Sequence, residues 1–267
     1  MKLSRSTEKF RLAIFSDIHG NSIALDAVCN DIKDRGGVDG YLVLGDMIAI
    51  GFDPIGVLER LLSLPDTLFI RGNTERYVST GELPSPSVDD VMQDLSKAGI
   101  LQDVSSCFAW TQGAVEATGW RSFVTQLPVE QRLTLPDGTR LLGVHATLKN
   151  DEQVISPIMS DTEIALSLAG CEADLVILGH VHWPMERMID SMHVVCVGCV
   201  GNPLAPDLRA SYVLLEADKK GYELEFHRVA YDIEAVIDAI NKSSYPPKKF
   251  IIDHYKGSIL PPWERVK

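Results

Sequence analysis

An α/β fold is predicted for this chain of 267 residues by three observations. Short apolar runs recur and end in Gly and polar residues, several are followed by amphipathic helical patterns, and no segment is repeated or of low complexity. Strands that alternate with helices imply a parallel sheet assembled from βαβ units. Composition agrees: 45% hydrophobic and 23% charged residues exclude a disordered, collagen-like or fibrous chain. The length allows a substantial core.

The apolar runs at 12–15, 41–44, 67–70, 141–144 and 175–178 read as short buried strands. Between the first two, Ala24, Leu25, Val28 and Ile32 recur on one helical face, with Asn21 or Ser22 as N-cap and Gly36-Gly37 as the stop. A second helix begins at Pro54, a favoured first helical position, and carries Val57, Leu58, Leu61 and Leu62. The stretch 76–126 departs from this rhythm and reads as a helical insertion, with helical patterns at 88–98 and 113–124. It leaves the sheet close to the third strand, so it is expected to wall or cap a site there. Trp110, Trp120 and Phe123 are expected to form its own small core. After Met192 the pattern turns to strand at 194–197, 211–216 and 222–229, and a helix follows at 232–241. The end, 245–267, has four prolines and exposed aromatics and reads as an extended arm, packed either on its own domain or on a second subunit. No linker interrupts the pattern, so 1–267 is expected to be one domain.

Lys and Arg total 25 against 37 Asp and Glu, a formal net charge of −12. Such a chain is a poor partner for nucleic acid, whose non-specific binding relies on Lys and Arg at phosphates, and for an anionic membrane. The polar first ten residues and the short apolar run after them do not make a signal peptide, and the charge-free stretch 191–206 is broken by Gly and Pro. With five cysteines, an odd number, this points to a reducing cytoplasm. Cys196 and Cys199 form a Cys-x-x-Cys pair without a second pair, and their Val-rich context reads as buried strand.

The residues that carry chemistry stand where the strands end: Ser16-Asp17-Ile18-His19-Gly20-Asn21, Gly45-Asp46, Gly72-Asn73-Thr74-Glu75, His145, and Gly179-His180-Val181-His182. In open α/β sheets ligands gather at the carboxyl ends of strands, so these segments should converge. Four imidazoles, two carboxylates and one amide oxygen make a mixed nitrogen and oxygen shell, suited to Mn²⁺, Fe, Zn²⁺ or Ni²⁺ rather than Ca²⁺. Seven donors exceed one tetrahedral ion and match a two-metal centre with a bridging carboxylate. His193, His227 and His254 lie outside these segments and read as ordinary hydrogen-bonded residues.

These motifs, in this order, resemble the signature of the calcineurin-like metallophosphoesterase superfamily: Asp-x-His, Gly-Asp, Gly-Asn-x-Asp/Glu, His and Gly-His-x-His. The likeness is greatest to its small bacterial and archaeal phosphodiesterase branch and covers 11–216, including Gly198-Cys199-Val200-Gly201-Asn202-Pro203. It implies a four-layer αββα sandwich of two mixed sheets. It also implies two divalent ions, Mn²⁺ first among them, one held by Asp17, His19 and His182 and the other by Asn73, His145 and His180, with Asp46 bridging. The implied reaction is in-line attack on phosphorus by a hydroxide shared between the ions. Many members carry His after Gly-Asn; here Thr74 takes that place beside Glu75, and a hydroxyl is no general acid near pH 7. Asn73, Thr74, Glu75 and Asp46 are the catalytic candidates; Asn21 and Arg76 are candidate phosphate contacts, and Trp183 a candidate border of the crevice. The expected substrate is a small or nucleotide-like phosphate ester. The competing readings are a nuclease of the same superfamily, which the acidity disfavours, and a non-catalytic scaffold, which the intact ligand set disfavours.

Overall fold

The structure, a computed structural model, describes residues 9–265. In chain order its elements are β1 (Phe10–Phe15), α1 (Ser22–Asp34), β2 (Gly40–Val43), α2 (Pro54–Ser63), β3 (Thr67–Phe69), α3 (Asn73–Thr80), α4 (Val88–Gln93), α5 (Ala98–Ala117), α6 (Arg121–Thr125), β4 (Glu130–Thr134) and β5 (Arg140–Val144). They continue as α7 (Asp161–Ser167), β6 (Leu175–Leu178), β7 (Met185–Ile189), β8 (Met192–Cys196), β9 (Ala210–Asp218), β10 (Gly221–Val229), α8 (Ile233–Lys242) and α9 (Lys248–Tyr255).

The strands form two mixed sheets, one ordered β10-β9-β1-β2-β3 and the other β4-β5-β6-β8-β7. The βαβ reading holds for the parallel ladders β1–β2, β2–β3 and β5–β6; β6–β8 is also parallel but is connected through β7 with no helix, and antiparallel strands flank each set. Successive strand residues point to opposite faces, which divides each strand between two cores. Leu12 and Ile14 of β1 pack with Leu42 against Leu141, Leu175, Ile177 and Val195 of the second sheet. Ala13 and Phe15 face the other way, onto Leu25 and Val28 of α1 and Val57, Leu58 and Leu61 of α2. On the outer face of the second sheet, Leu142, Val176 and Leu178 meet Ile164 and Leu168 at α7. The layers are therefore helix, sheet, sheet, helix, and the central strands are buried on both faces.

Helix ends follow their caps. Asn21 Oδ1 accepts from Ala24 N at 3.0 Å and Asp53 Oδ1 from Gly56 N at 3.0 Å, with Pro54 opening α2. The insertion differs from its sequence reading: one helix, α5, runs for 20 residues through Gly99 and Gly113. Val104, Cys107, Phe108, Thr111 and Val115 give it a buried stripe that outweighs the low helix propensity of two glycines. Nor does the insertion keep a separate core. Trp120 and Phe123 join the α1–α2 core, where Phe123 meets Phe69 edge-on at 5.5 Å, and Trp110 packs on Tyr245 at 5.3 Å.

Of the segment expected as an extended arm, 245–267, positions 266–267 lie outside the described residues, and the rest is instead helical at α9, with a 3-10 turn at Pro262–Glu264. Tyr245, Ile251 and Tyr255 are buried against Cys107 of α5 and Val236 and Ile240 of α8. Burial of those aromatics anchors the segment on its own chain. Cys196 ends β8 and both it and Cys199 are buried free thiols. Among the described residues no helix is long and apolar enough to cross a membrane.

Candidate metal centre

The loops that follow β1, β2, β5 and β6 meet beside the first turn of α3 and bring the predicted ligands into two groups. Asp17, His19 and His182 form one, and Asp46, His145 and His180 the other, with ligand atoms in each within 4.8 Å of one another. Asp17, His19, Asp46, His180 and His182 all have φ between 49° and 67°. For residues with a side chain this left-handed backbone is strained by about 1–3 kcal/mol each, and such strain persists where a site is over-determined by its surroundings. The surroundings here are backbone bonds between loops: Ile18 N to Asp46 O at 2.9 Å, Gly179 N to His145 O at 2.9 Å and Gly201 N to Asp17 O at 2.8 Å. Two glycines permit the close approach, since a Cβ on Gly72 would overlap the Asp46 carboxylate and one on Gly179 the Ser16 hydroxyl.

The imidazoles are aimed by their outer nitrogens. His145 Nδ1 donates to Leu44 O at 2.7 Å, His182 Nδ1 to Asn202 O at 2.8 Å, and His19 Nδ1 to Ala49 O. A carbonyl only accepts, so each of these rings turns its Nε2 lone pair inward. His180 is reversed: its Nε2 donates to Glu152 O at 3.0 Å, which leaves Nδ1 for the centre.

The result is a set of electron-rich atoms facing one another. His19 Nε2 and His182 Nε2 are 2.9 Å apart, and His145 Nε2 is 2.9 Å from Asn73 Oδ1. Asp17 Oδ2 accepts from His180 N, but its buried Oδ1 has no hydrogen-bond partner and lies 3.3 Å from His182 Nε2. Such contacts need positive charge between them, and these donors fit divalent cations. The titration of the groups carries the same demand. Burial disfavours a charge on His145, yet the carboxylates of Asp46 and Asp17 raise it above its ordinary value. Burial also opposes a charge on His182, but Cys199 and Asp17 carry it well above. Burial would raise Asp17 too, and the attraction of His182 outweighs it and holds the carboxyl well below the usual range. Asp46 is pushed by burial up to about 7, against the pull of His145. Burial, reinforced by neighbouring imidazoles, pushes His19 down to about 3 and His180 to about 4.

Residues 10–220 match the model of the calcineurin-like phosphoesterase superfamily domain. The chain belongs to that superfamily. It is 28% identical over 257 residues to an uncharacterised protein of Methanocaldococcus jannaschii, covering 89% of this chain and 95% of that one. A hypothetical protein of Pyrococcus horikoshii has the same fold, with a TM-score of 0.76 at 19% identity over 93% of this chain and 99% of its own. So does a metallophosphoesterase of Sphaerobacter thermophilus, with a TM-score of 0.69 at 22% identity over 94% and 99%. Membership makes the protein a phosphoester hydrolase in general class, with Asp and His clusters suited to divalent metal.

Around this phosphoesterase centre the remaining candidates separate. Thr74 is buried and gives both its N–H and its hydroxyl proton to Asp46 Oδ1, each at 2.9 Å, so it orients that carboxylate. Glu75, expected to act in catalysis, is fully buried and accepts from the backbone N–H groups of Asp46, Met47, Ile48 and Gly72 at 2.8–3.3 Å. It shapes the Asp46 loop instead of meeting substrate. Asn21, expected at the phosphate, is fully buried: Oδ1 caps α1 and Nδ2 donates to Tyr255 Oη at 3.0 Å. Arg76, also expected there, is held by Asp151, Glu152 and Glu82 and lines a neighbouring hollow with Arg71 and Lys149. Trp183 packs edge-on against Trp263 at 6.0 Å and is not among the residues of the cleft over the metal ligands.

That cleft, of about 530 Å³, has His19, Asp46, Asn73, Thr74, His180 and His182 as its floor. Its walls come from the insertion, through Ile100, Val104 and Phe108, and from α9, through Phe250 and His254. Tyr255, on the next turn of α9, donates to Asn202 Oδ1 at 3.1 Å. The carbonyl of Asn202 holds His182, so the C-terminal helix steadies a candidate metal ligand. Sequence reasoning placed neither α9 nor Tyr255 here. The only signal was Asn202 within the motif-like loop after Gly198.

Proposed function

We propose that the protein hydrolyses a phosphodiester or phosphomonoester of a small substrate at a dinuclear divalent centre, with Asp46 shared between its halves. The carrying observation is the splay of that carboxylate: Oδ2 lies 3.9 Å from His19 Nε2 in one group and Oδ1 lies 3.6 Å from His145 Nε2 in the other. Asp17, His19 and His182 would hold one ion and Asn73, His145 and His180 the other. Mn²⁺ leads the proposal, with Fe, Zn²⁺ or Ni²⁺ as alternatives that the same donors accept. When bound, two such cations supply Lewis acidity toward phosphoryl oxygens and toward water.

The chain's own residues supply orientation. Backbone carbonyls keep the imidazole lone pairs inward, Thr74 fixes Asp46, and Glu75 holds the loop that carries it. The walls from α5 and α9 narrow the approach to the floor. A reducing, cytoplasmic setting is part of the proposal and is supported by five free cysteines.

The test is metal analysis of purified protein together with turnover of a chromogenic phosphodiester, with and without added Mn²⁺. About two ions per chain are expected, and Asp46→Asn should lower turnover by more than the ~10–100-fold that loss of an outer partner of a ligand costs. Less than one ion per chain, with Asp46→Asn as active as wild type, sinks the proposal.

A further inference from the structure

The cleft above the ligands has a composition unlike its floor. Beyond the candidate metal-binding side chains its walls are mainly apolar, through residues such as Tyr77, Ile100, Phe108 and Phe250, with Asp103 as an acidic member, and among the described residues no Lys or Arg lines it. Of the cations nearby in chain or space, Lys248 donates to Asn241 O, Lys249 is paired with Asp253, and Arg71 and Arg76 are paired with Asp151 and line the neighbouring hollow. Ile100 is 56% exposed and Phe250 42%, large apolar side chains left open on two helices that border one cleft. Apolar surface continuous with a site marks what the site receives.

The cleft is also poor in protons to give. The Thr74 hydroxyl is committed to Asp46, the Tyr77 hydroxyl to Glu152, and His254 Nδ1 to Pro203 O at 3.2 Å. The Cys107 thiol accepts from Tyr245, and burial pushes it up to about 12, too weak an acid near neutral pH. A departing alkoxide would find no acid waiting, so an alcohol that leaves readily as its anion is favoured.

We propose that the substrate is a phosphate ester with one phosphoryl group and an uncharged, apolar, aromatic alcohol portion, which lies between Phe108, Ile100 and Phe250. This rests on the hydrolase reading above and narrows it. Water adds to phosphorus and the P–O bond to the aryl group breaks. The aryloxide leaves with the bonding pair, and the proton from water passes to solvent. A polyphosphate or a nucleic-acid strand would place further negative charges along a wall that offers nothing to neutralise them.

The test measures binding as well as turnover. Metal-loaded protein is titrated calorimetrically with methyl-, phenyl- and 1-naphthylphosphonate and with pyrophosphate, and kcat/KM is measured for the matching methyl, phenyl and naphthyl phosphate esters. Naphthylphosphonate should bind at least tenfold tighter than the methyl compound, and pyrophosphate more weakly than either aryl compound. Phe250→Ser and Ile100→Ser, at positions exposed enough to keep the fold, should each remove several-fold of that preference. Equal affinity across the series, or pyrophosphate as the tightest ligand, overturns the proposal even where esters are hydrolysed. If the aryl preference and its loss in the variants are found but no ester is turned over, the hydrolase reading falls and the binding class stands.

Discussion

In and beneath the floor of the cleft, six buried or half-buried Asp and His side chains are gathered on loops, five of them at positions of positive φ. At the walls, a few turns of α5 and α9 present Ile100, Phe108 and Phe250, which interact through shape and burial alone. The floor should tolerate little change, because most of its polar groups are fixed by directional bonds. The walls tolerate substitution, because apolar contact is non-directional. On the proposals above, reaction class belongs to the first region and substrate choice to the second. A family can therefore keep one chemistry while its members differ in what they act on.

That contrast is most sharply tested at Glu75. Glu75→Ala would leave the N–H groups of Asp46, Met47, Ile48 and Gly72 buried without an acceptor, at about 1–3 kcal/mol for each that finds no substitute. The expected outcome in denaturant unfolding is a loss on the order of 4 kcal/mol, with metal binding lost alongside. A variant as stable as wild type would show that the floor is less constrained than its bonds imply.

Tyr255 joins the two regions and should give the next largest effect. Tyr255→Phe keeps the apolar packing of α9 and removes the hydroxyl that holds Asn202. Metal affinity of the half containing His182 should fall about tenfold by calorimetry, with the melting temperature little changed. Unchanged affinity would mean that floor and wall are independent.

An effect confined to acid pH, and absent at neutrality, is expected from His254, on the wall. Burial, helped by His182, pushes this imidazole down to about 4 from an ordinary 6.5. Between those values the unfolded chain binds a proton that the folded chain refuses, so stability rises with pH across the window and is lost as pH falls through it. In chelator-treated protein, His254→Gln should flatten the stability profile between pH 6.5 and 4 by at most one proton, ~1.4 kcal/mol per pH unit. It should leave the profile above pH 7 alone.

The two regions were also unequally legible in the sequence. Each ligand sits at the end of a short apolar strand, a local pattern, so Asp17, His19, Asp46, Asn73, His145, His180 and His182 stood out before any geometry. Most strands and the helices α1, α2 and α8 were visible for the same reason. α3 was not, because its eight residues are polar and β-branched, and tertiary bonds hold its first turn. Nor was α9, whose prolines and aromatics read as an arm until a distant partner, the α5–α8 groove, gave Tyr245 and Ile251 somewhere to be buried. Asn21 and Arg76 were misplaced because being next to a motif in sequence does not reveal which atoms are already spoken for.

The hydrogen bond from Asn21 to Tyr255 joins positions 234 apart in the chain. All the metal ligands precede position 183, so a chain emerging from the ribosome displays the whole donor set well before the helix that braces it has been made. Closing a loop of that length is slow relative to local structure, which makes the bracing of His182 a late event in folding. Ions that arrive early then meet a looser set of ligands than the finished protein presents, and the last helix converts that set into a fixed centre and builds one wall of its cleft in the same movement.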